Sequence, residues 1–475
     1  MKSIFLFLTL ILAISLSACK KDTENTSINN AYLGGEIINP TSNHIIIIKS
    51  GVPLDTIALN KYNRFSHNFK DFEPGLYSFF HGREFQSFLI EPNDSLRLRL
   101  NTLDFDESLV YTGIGAKENN FLMEMYLLNE IEDDKILGLG QKTAEEFDSI
   151  YKSSKDWKLK KLAKLKLKNE TSKLFDEIAE ASINYEYYAH KELYPLANYK
   201  TSELDAFKNL PEDFYNYRET IDYNNTTIKD YGPYLLFLRF HINNLALRNH
   251  FQHSKDSLYN KLDIHYNLDK LSIIEEKVSN EDIKNSLLRF VLRQFISVSK
   301  NTEDYDQMLQ SFNEKSTNTK DIKNATQFVS SYKRLKPGKK IPLVNLYDKD
   351  NKEISIYSLI KKPTIIYFWS KNNKNHLISS HKRSKELKVK YPEFHYIAIN
   401  VDSISYQEQE KTLNRYNVKI HNEYRFKAPK QSKVLLSVNP IQKVFILNKK
   451  AQIVNAKANM FNIGFEQELL GLLNQ

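Results

Sequence analysis

The sequence predicts a multidomain protein with an N-terminal all-β sandwich, a central α-helical region and a C-terminal α/β domain. Three observations predict it. From Ala31 to Gly113, short alternating segments recur at a spacing of about ten residues between turn signals. From Asn120 the apolar period lengthens to that of a helix, and after Lys336-Pro337-Gly338 strand-like and helix-like stretches alternate. A chain of 475 residues fits two to three domains of about 150 residues each.

In the first region the segments are Gly35 to Ile38, His44 to Ile48, Leu54 to Ala58, Arg64 to Phe69, Leu76 to Phe80, Phe85 to Ile90 and Ser95 to Leu100. Glu91-Pro92-Asn93-Asp94 is the clearest turn between them. Helical spacing then appears in Phe121, Met125 and Leu128, in Leu174, Ile178, Ala181 and Tyr185, and in Leu288, Leu292 and Phe295. Leu210-Pro211 and Gly232-Pro233 read as breaks. The eight lysines between Lys152 and Lys168 spread around most of a helix, which predicts a solvated helix more than an anion-binding face. His250 and His253 are three apart on a helix, but zinc normally needs three or four protein ligands, so no metal site is read here.

Net charge is +9, from 67 basic against 58 acidic residues. An excess spread so thinly, without a concentrated stripe or recognition motif, argues against nucleic acid. The chain opens with Lys2 and the apolar run Ile4 to Leu16, short for a membrane span and shaped like a signal-peptide core, followed by Leu16-Ser17-Ala18-Cys19. That ending resembles a bacterial lipoprotein box, which implies cleavage before Cys19 and a lipid on its thiol. Residues 1–18 are then the lipoprotein signal peptide and 19–30 a lipidated polar tether, which places the protein in the bacterial cell envelope. The outer membrane is expected rather than the inner, with the chain facing the periplasm or the cell surface. Cys19 is the single cysteine of the sequence, so a lipidated chain keeps no free thiol and no structural disulfide.

The C-terminal region carries the chemistry-bearing stretch, Pro363 to His376. Its run Thr364-Ile365-Ile366-Tyr367-Phe368-Trp369 predicts a strand buried on both faces, and the polar turn after it predicts a helix start. Phe394 to Asp402 reads as the next parallel strand, Val438-Asn439-Pro440 precedes the strand around Val444 to Leu447, and Phe465 to Leu473 closes the chain as a helix. Together these residues resemble the thioredoxin-like thiol–disulfide proteins of bacterial envelopes over residues 337–475, and the segment 31–115 resembles a small β domain that often precedes them. The region between, 116–335, is the helical domain.

In that family an aromatic residue ends the strand and Cys-x-x-Cys follows at the helix N-terminus. Here Trp369 keeps the aromatic, while Ser370 and Asn373 occupy the two cysteine positions. Disulfide exchange needs an attacking thiolate and a resolving thiol, and a hydroxyl supplies neither. Ser370 and His376 lie six apart on the helix, on different sides, so they make no nucleophile and base. Ser370 and Asn373 read as capping groups, and no catalytic residue or cofactor is assigned. The resemblance implies a cis bond at Asn439-Pro440 and a peptide-binding groove of Trp369, Asn439 and Pro440. The function expected is a redox-inactive binding or scaffold protein, with membrane, extended peptides or envelope proteins as partners. The alternatives are a thiol–disulfide oxidoreductase by ancestry, or a subunit of an envelope uptake or assembly complex.

Overall fold

The computed structural model describes residues 29–82, 84–198, 203–253, 260–299, 301–418 and 422–474. The expected signal peptide and lipidation site, Cys19, lie outside them. The described chain divides into two compact units: one runs to Ile131 and takes in Leu162–Glu180, and the other comprises Glu132–Lys161 and everything from Ala181 onward. The helical segment expected at 116–335 is therefore shared between the units, three of its helices running from one to the other.

The first unit holds eight strands, β1 (Asn30–Ile38), β2 (His44–Lys49), β3 (Val52–Ala58), β4 (Arg64–Lys70), β5 (Gly75–His81), β6 (Glu84–Ile90), β7 (Ser95–Asn101) and β8 (Val110–Ile114). They form two four-stranded sheets, β4-β1-β7-β8 and β3-β2-β5-β6. Alternation decides which side chains go inside: Leu96, Leu98 and Leu100 of β7 are buried while Arg97 and Arg99 point out. One apolar core joins both sheets, with Leu33, Ile37 and Leu98 from one and Ile47, Phe79 and Phe88 from the other. The pairing of β1 with β7 is parallel, Leu33 opposite Leu96, a return that local patterning does not encode.

Two adjacent asparagines at the start of the helix Ala116–Asp133 close the free edges of these sheets. Asn119 accepts the Leu89 N–H at 2.8 Å and donates to the Leu89 carbonyl at 2.9 Å. Asn120 does the same for Tyr111, both bonds 2.9 Å. β6 and β8 are the edge strands concerned, and an amide side chain offers the donor and acceptor that a missing strand would have supplied. Gly115, just before, has φ +85°, and a Cβ there would stand 2.6 Å from the Asp94 carboxylate.

In the second unit the helices Gly232–His253, Ile264–Lys277, Glu281–Val298, Asp304–Lys315 and Thr319–Arg334 follow one another. Several start where a side chain accepts the free N–H groups of the first turn: Asp263 from Tyr266, Asn280 from Asp282 and Ile283, Asn318 from Asp321. The lysine-rich helix Ala144–Lys168 departs from a fully solvated helix at Lys158. That side chain is buried and its ammonium lies 2.8 Å from Glu132. Among the described residues no helix is long and apolar enough to cross a membrane.

The C-terminal part of this unit is a seven-stranded mixed sheet. Its strands are β9 (Asn345–Tyr347), β10 (Glu353–Ser355), β11 (Thr364–Trp369), β12 (His395–Asn400), β13 (Glu423–Phe426), β14 (Val444–Leu447) and β15 (Ile453–Ala458), in the order β10-β9-β13-β12-β11-β14-β15. All six residues of β11 are buried. Ile365, Tyr367 and Trp369 enter one apolar core, whereas Ile366 and Phe368 enter the other. β11 runs parallel to β12, and β12 to β13; the helix Lys374–Lys390 makes the first crossover.

Candidate functional site

The turn after β11 is closed by a carboxylate from the end of β12. Ser370 donates its hydroxyl hydrogen to Asp402, 2.8 Å from Oδ1 and 3.0 Å from Oδ2, and the Lys371 N–H donates to Asp402 Oδ2 at 2.7 Å. Asp402 is itself held by its own N–H, which donates to Asn400 Oδ1 at 2.8 Å. The parallel pairing places Trp369 opposite Asn400, so residues just beyond both strand ends meet. Ser370 Oγ accepts from the Asn372 N–H at 3.2 Å. It caps the turn, not the helix.

Asn373 is the helix cap: its Oδ1 accepts the His376 N–H at 2.9 Å. His376 is buried and turns Nε2 to the Phe368 carbonyl at 3.0 Å. A carbonyl only accepts, so Nε2 carries the proton and is no base for Ser370. The two positions that the resemblance matches to a dithiol thus hold a hydroxyl bonded to a carboxylate and an amide bonded to the backbone.

Trp369 is wholly buried, which corrects its expected place in an open groove. Strand alternation puts its indole in the core shared with Ile365 and Tyr367, on the face opposite the core that holds Val438. There its Nε1–H donates to Glu423 Oε2 at 2.9 Å, and His381 Nε2 meets Glu423 Oε1 at the same distance. Sequence reasoning missed this Trp369, Glu423 and His381 triad because Glu423 sits on a four-residue strand far along the chain.

Asn439 and Pro440 are exposed, and the bond between them is cis. Asn439 lines a cleft of about 470 Å³ together with Arg289, Arg293, Phe328, Lys433 and Val438. Arg289 is paired with Asp321. Arg293 lies over the Phe328 ring, 5.1 Å from its centroid. Two helices, Glu281–Val298 and Thr319–Arg334, supply one wall and the segment leading into Asn439 the other. The positive charge of this cleft had no sequence signal, since its basic residues come from separate elements.

Two further lysines stand in this unit, Lys443 buried and Lys457 on the exposed side of β15, and Lys457 ties the sheet to the helices. Lys457 Nζ donates to the carbonyls of Ile296 at 2.8 Å and Ser299 at 2.9 Å, at the C-terminal end of Glu281–Val298, where a cation is favoured. Lys443 Nζ donates to Leu436 and Ser437 carbonyls at 3.2 and 3.3 Å. Burial pulls Lys443 down to about 7, with Lys457 adding to it, and pulls Lys457 down to about 8. A second buried network centres on Glu192, which takes hydrogen bonds from Arg218, Tyr217 and His241. Burial alone would raise Glu192, but His241 and Arg218 outweigh it and hold the carboxyl down at about 2.

Of the histidine pair, His250 is buried with Nδ1 3.9 Å from Asp263 Oδ1. The side chain of His253 lies outside the described residues.

No protein-family model and no curated protein matches the sequence. Solved structures similar to parts of it are thioredoxin-like proteins. A thioredoxin-like protein from Bacteroides caccae is 11% identical, covering 60% of this chain and 93% of its own, with a TM-score of 0.35. The thioredoxin domain of a thiol-disulfide oxidoreductase from Bacteroides vulgatus is 12% identical, covering 30% of this chain and 96% of its own, with a TM-score of 0.24.

Proposed function

We propose that this is a lipid-anchored bacterial envelope protein whose C-terminal, thioredoxin-like domain has given up thiol–disulfide exchange and binds an extended peptide segment of a partner. The observation that carries the reading is the occupation of the turn: Ser370 is bonded to Asp402 and Asn373 caps the helix, where exchange would need two thiols. Recognition of an extended chain needs no sulfur, because backbone groups and a few pockets supply the affinity. The cleft at Asn439, with Arg293 and Lys433 on its walls, favours a segment carrying carboxylates. The anchor rests on the sequence Leu16-Ser17-Ala18-Cys19.

The test has two arms on the full chain in detergent. In a dithiothreitol-coupled insulin assay, turnover should not exceed the no-enzyme control; turnover above it refutes loss of redox chemistry. On an array of extended peptides the chain should retain acidic sequences, and Arg293→Glu should abolish that retention. A chain that retains no peptide at any practical concentration is not a peptide binder.

A further inference from the structure

We propose that Asp133, Glu186 and His190 form a binding site for a divalent transition-metal ion, with zinc the ion that suits the donor set. Glu186 and His190 are four apart on the helix Lys173–Ala197 and so share a face. Asp133 ends the helix Ala116–Asp133 opposite that face. His190 Nε2 lies 2.8 Å from Asp133 Oδ1 and 3.6 Å from Glu186 Oε1, and one ligand atom from each residue falls within 4.8 Å of the others. Two ligands of a tetrahedral zinc at about 2.0–2.1 Å lie about 3.4 Å apart. The Glu186 to His190 separation of 3.6 Å is close to that value, and the Asp133 contact of 2.8 Å needs to open by a fraction of an ångström.

The surroundings favour a cation. The side chains of His190 and Glu186 are 1% and 6% exposed, while that of Asp133 is 52% exposed and leaves a path for an ion and its water. Two carboxylates thus crowd one buried imidazole. Lys158, which also faces Glu186, pairs with Glu132 at 2.8 Å. Tyr151 packs against the His190 ring with centroids 4.2 Å apart and fixes its orientation. Nε2 of His190 is the ring nitrogen turned toward the two carboxylates. An imidazole with two carboxylates suits zinc better than the all-oxygen sets that magnesium and calcium prefer.

The experiment is calorimetric titration of the chelator-treated full chain with zinc chloride, with magnesium chloride as the control. Wild type should bind one zinc per chain and give no saturable heat with magnesium. Asp133→Asn, at a half-exposed position that folding tolerates, and His190→Gln should each weaken zinc binding by about tenfold or more, since even outer partners of a metal are worth that much. Circular dichroism of each variant confirms that it is folded before titration. A wild-type chain that binds no zinc, or wild-type affinity in folded Asp133→Asn, overturns the proposal.

Discussion

His381 links the Leu377 carbonyl to the buried carboxyl group of Glu423. His381 Nδ1 lies 2.7 Å from the Leu377 carbonyl, which can only accept, and its Nε2 lies 2.9 Å from Glu423 Oε1. Glu423 therefore organises the core beside Trp369 as a buried, hydrogen-bonded acid.

Replacing Glu423 by Ala should accordingly be costly. The Trp369 Nε1–H and His381 both lose their acceptor inside a packed core, and breaking a buried pair of this kind costs about 3–5 kcal/mol. The sequence has two tryptophans, so in a Trp157→Phe background the fluorescence of Trp369 reports this core alone. Its urea midpoint should fall sharply in Glu423→Ala, and an unchanged midpoint would show that the acid is dispensable.

Asp402 and Ser370 should be coupled. Ser370→Ala removes one hydrogen bond and leaves Asp402 the Lys371 N–H, a loss of about 1 kcal/mol. Asp402→Ala also strands the Lys371 N–H and should cost about 2 kcal/mol. The double mutant should cost less than the sum, because the bond can be lost only once. Hydrogen exchange at Lys371 gives a local readout: it should quicken in Asp402→Ala and stay slow in Ser370→Ala. Strict additivity with equal exchange in both variants would contradict the geometry.

At Asn119 the expectation is structural and confined to the β unit. Asn119→Ala exposes no new surface but leaves the buried N–H and carbonyl of Leu89 without partners, at about 1–3 kcal/mol for each group. Asn119→Asp keeps an acceptor and loses the donor, so its loss should be intermediate. Thermal unfolding of the three chains ranks them, and an Ala variant as stable as wild type would rule out edge closure by this side chain.

What the sequence made legible follows from which signals are local. Strands β1 to β7 overlap the segments read as alternating, and β11 falls on the run Thr364 to Trp369, because period and composition are properties of neighbouring residues. β8 and β13, of five and four residues, are too short to carry such a period. The cap at Asn373 was readable from one residue and its place before a helix. The partner of Ser370 was not, since Asp402 comes from the next strand and only the parallel register brings it there. Trp369 was misplaced for a related reason: its identity marks the end of the strand, but the face it occupies depends on the parity of β11 within the sheet. The Asp133, Glu186 and His190 cluster joins an i, i+4 pair to a residue from another helix, and the sequence displays only the pair.

Lys443 supplies the pH-dependent prediction. Its ammonium is held at about 7 in the folded chain, largely by burial, against about 10.4 when unfolded. Between these values the unfolded state binds the proton that the folded state has released, so stability must rise with pH across this window. Below about 7 both states are protonated and the penalty of burying the charge is felt in full. Lys457, drawn down to about 8, and Lys270, drawn down to about 7 by burial, act in the same direction. From about pH 7 to 9 Lys443 alone should add up to about 2 kcal/mol, at 1.36 kcal/mol for each unit by which the protonation equilibria differ. Lys443→Met should remove that part of the slope, leaving the shares of Lys457 and Lys270. Urea midpoints at several pH values across the window measure both slopes. A wild-type chain whose stability is flat or falls from pH 7 to 9, or a Lys443→Met chain with the full wild-type slope, would mean that the folded state carries the charge on Lys443 and pairs it.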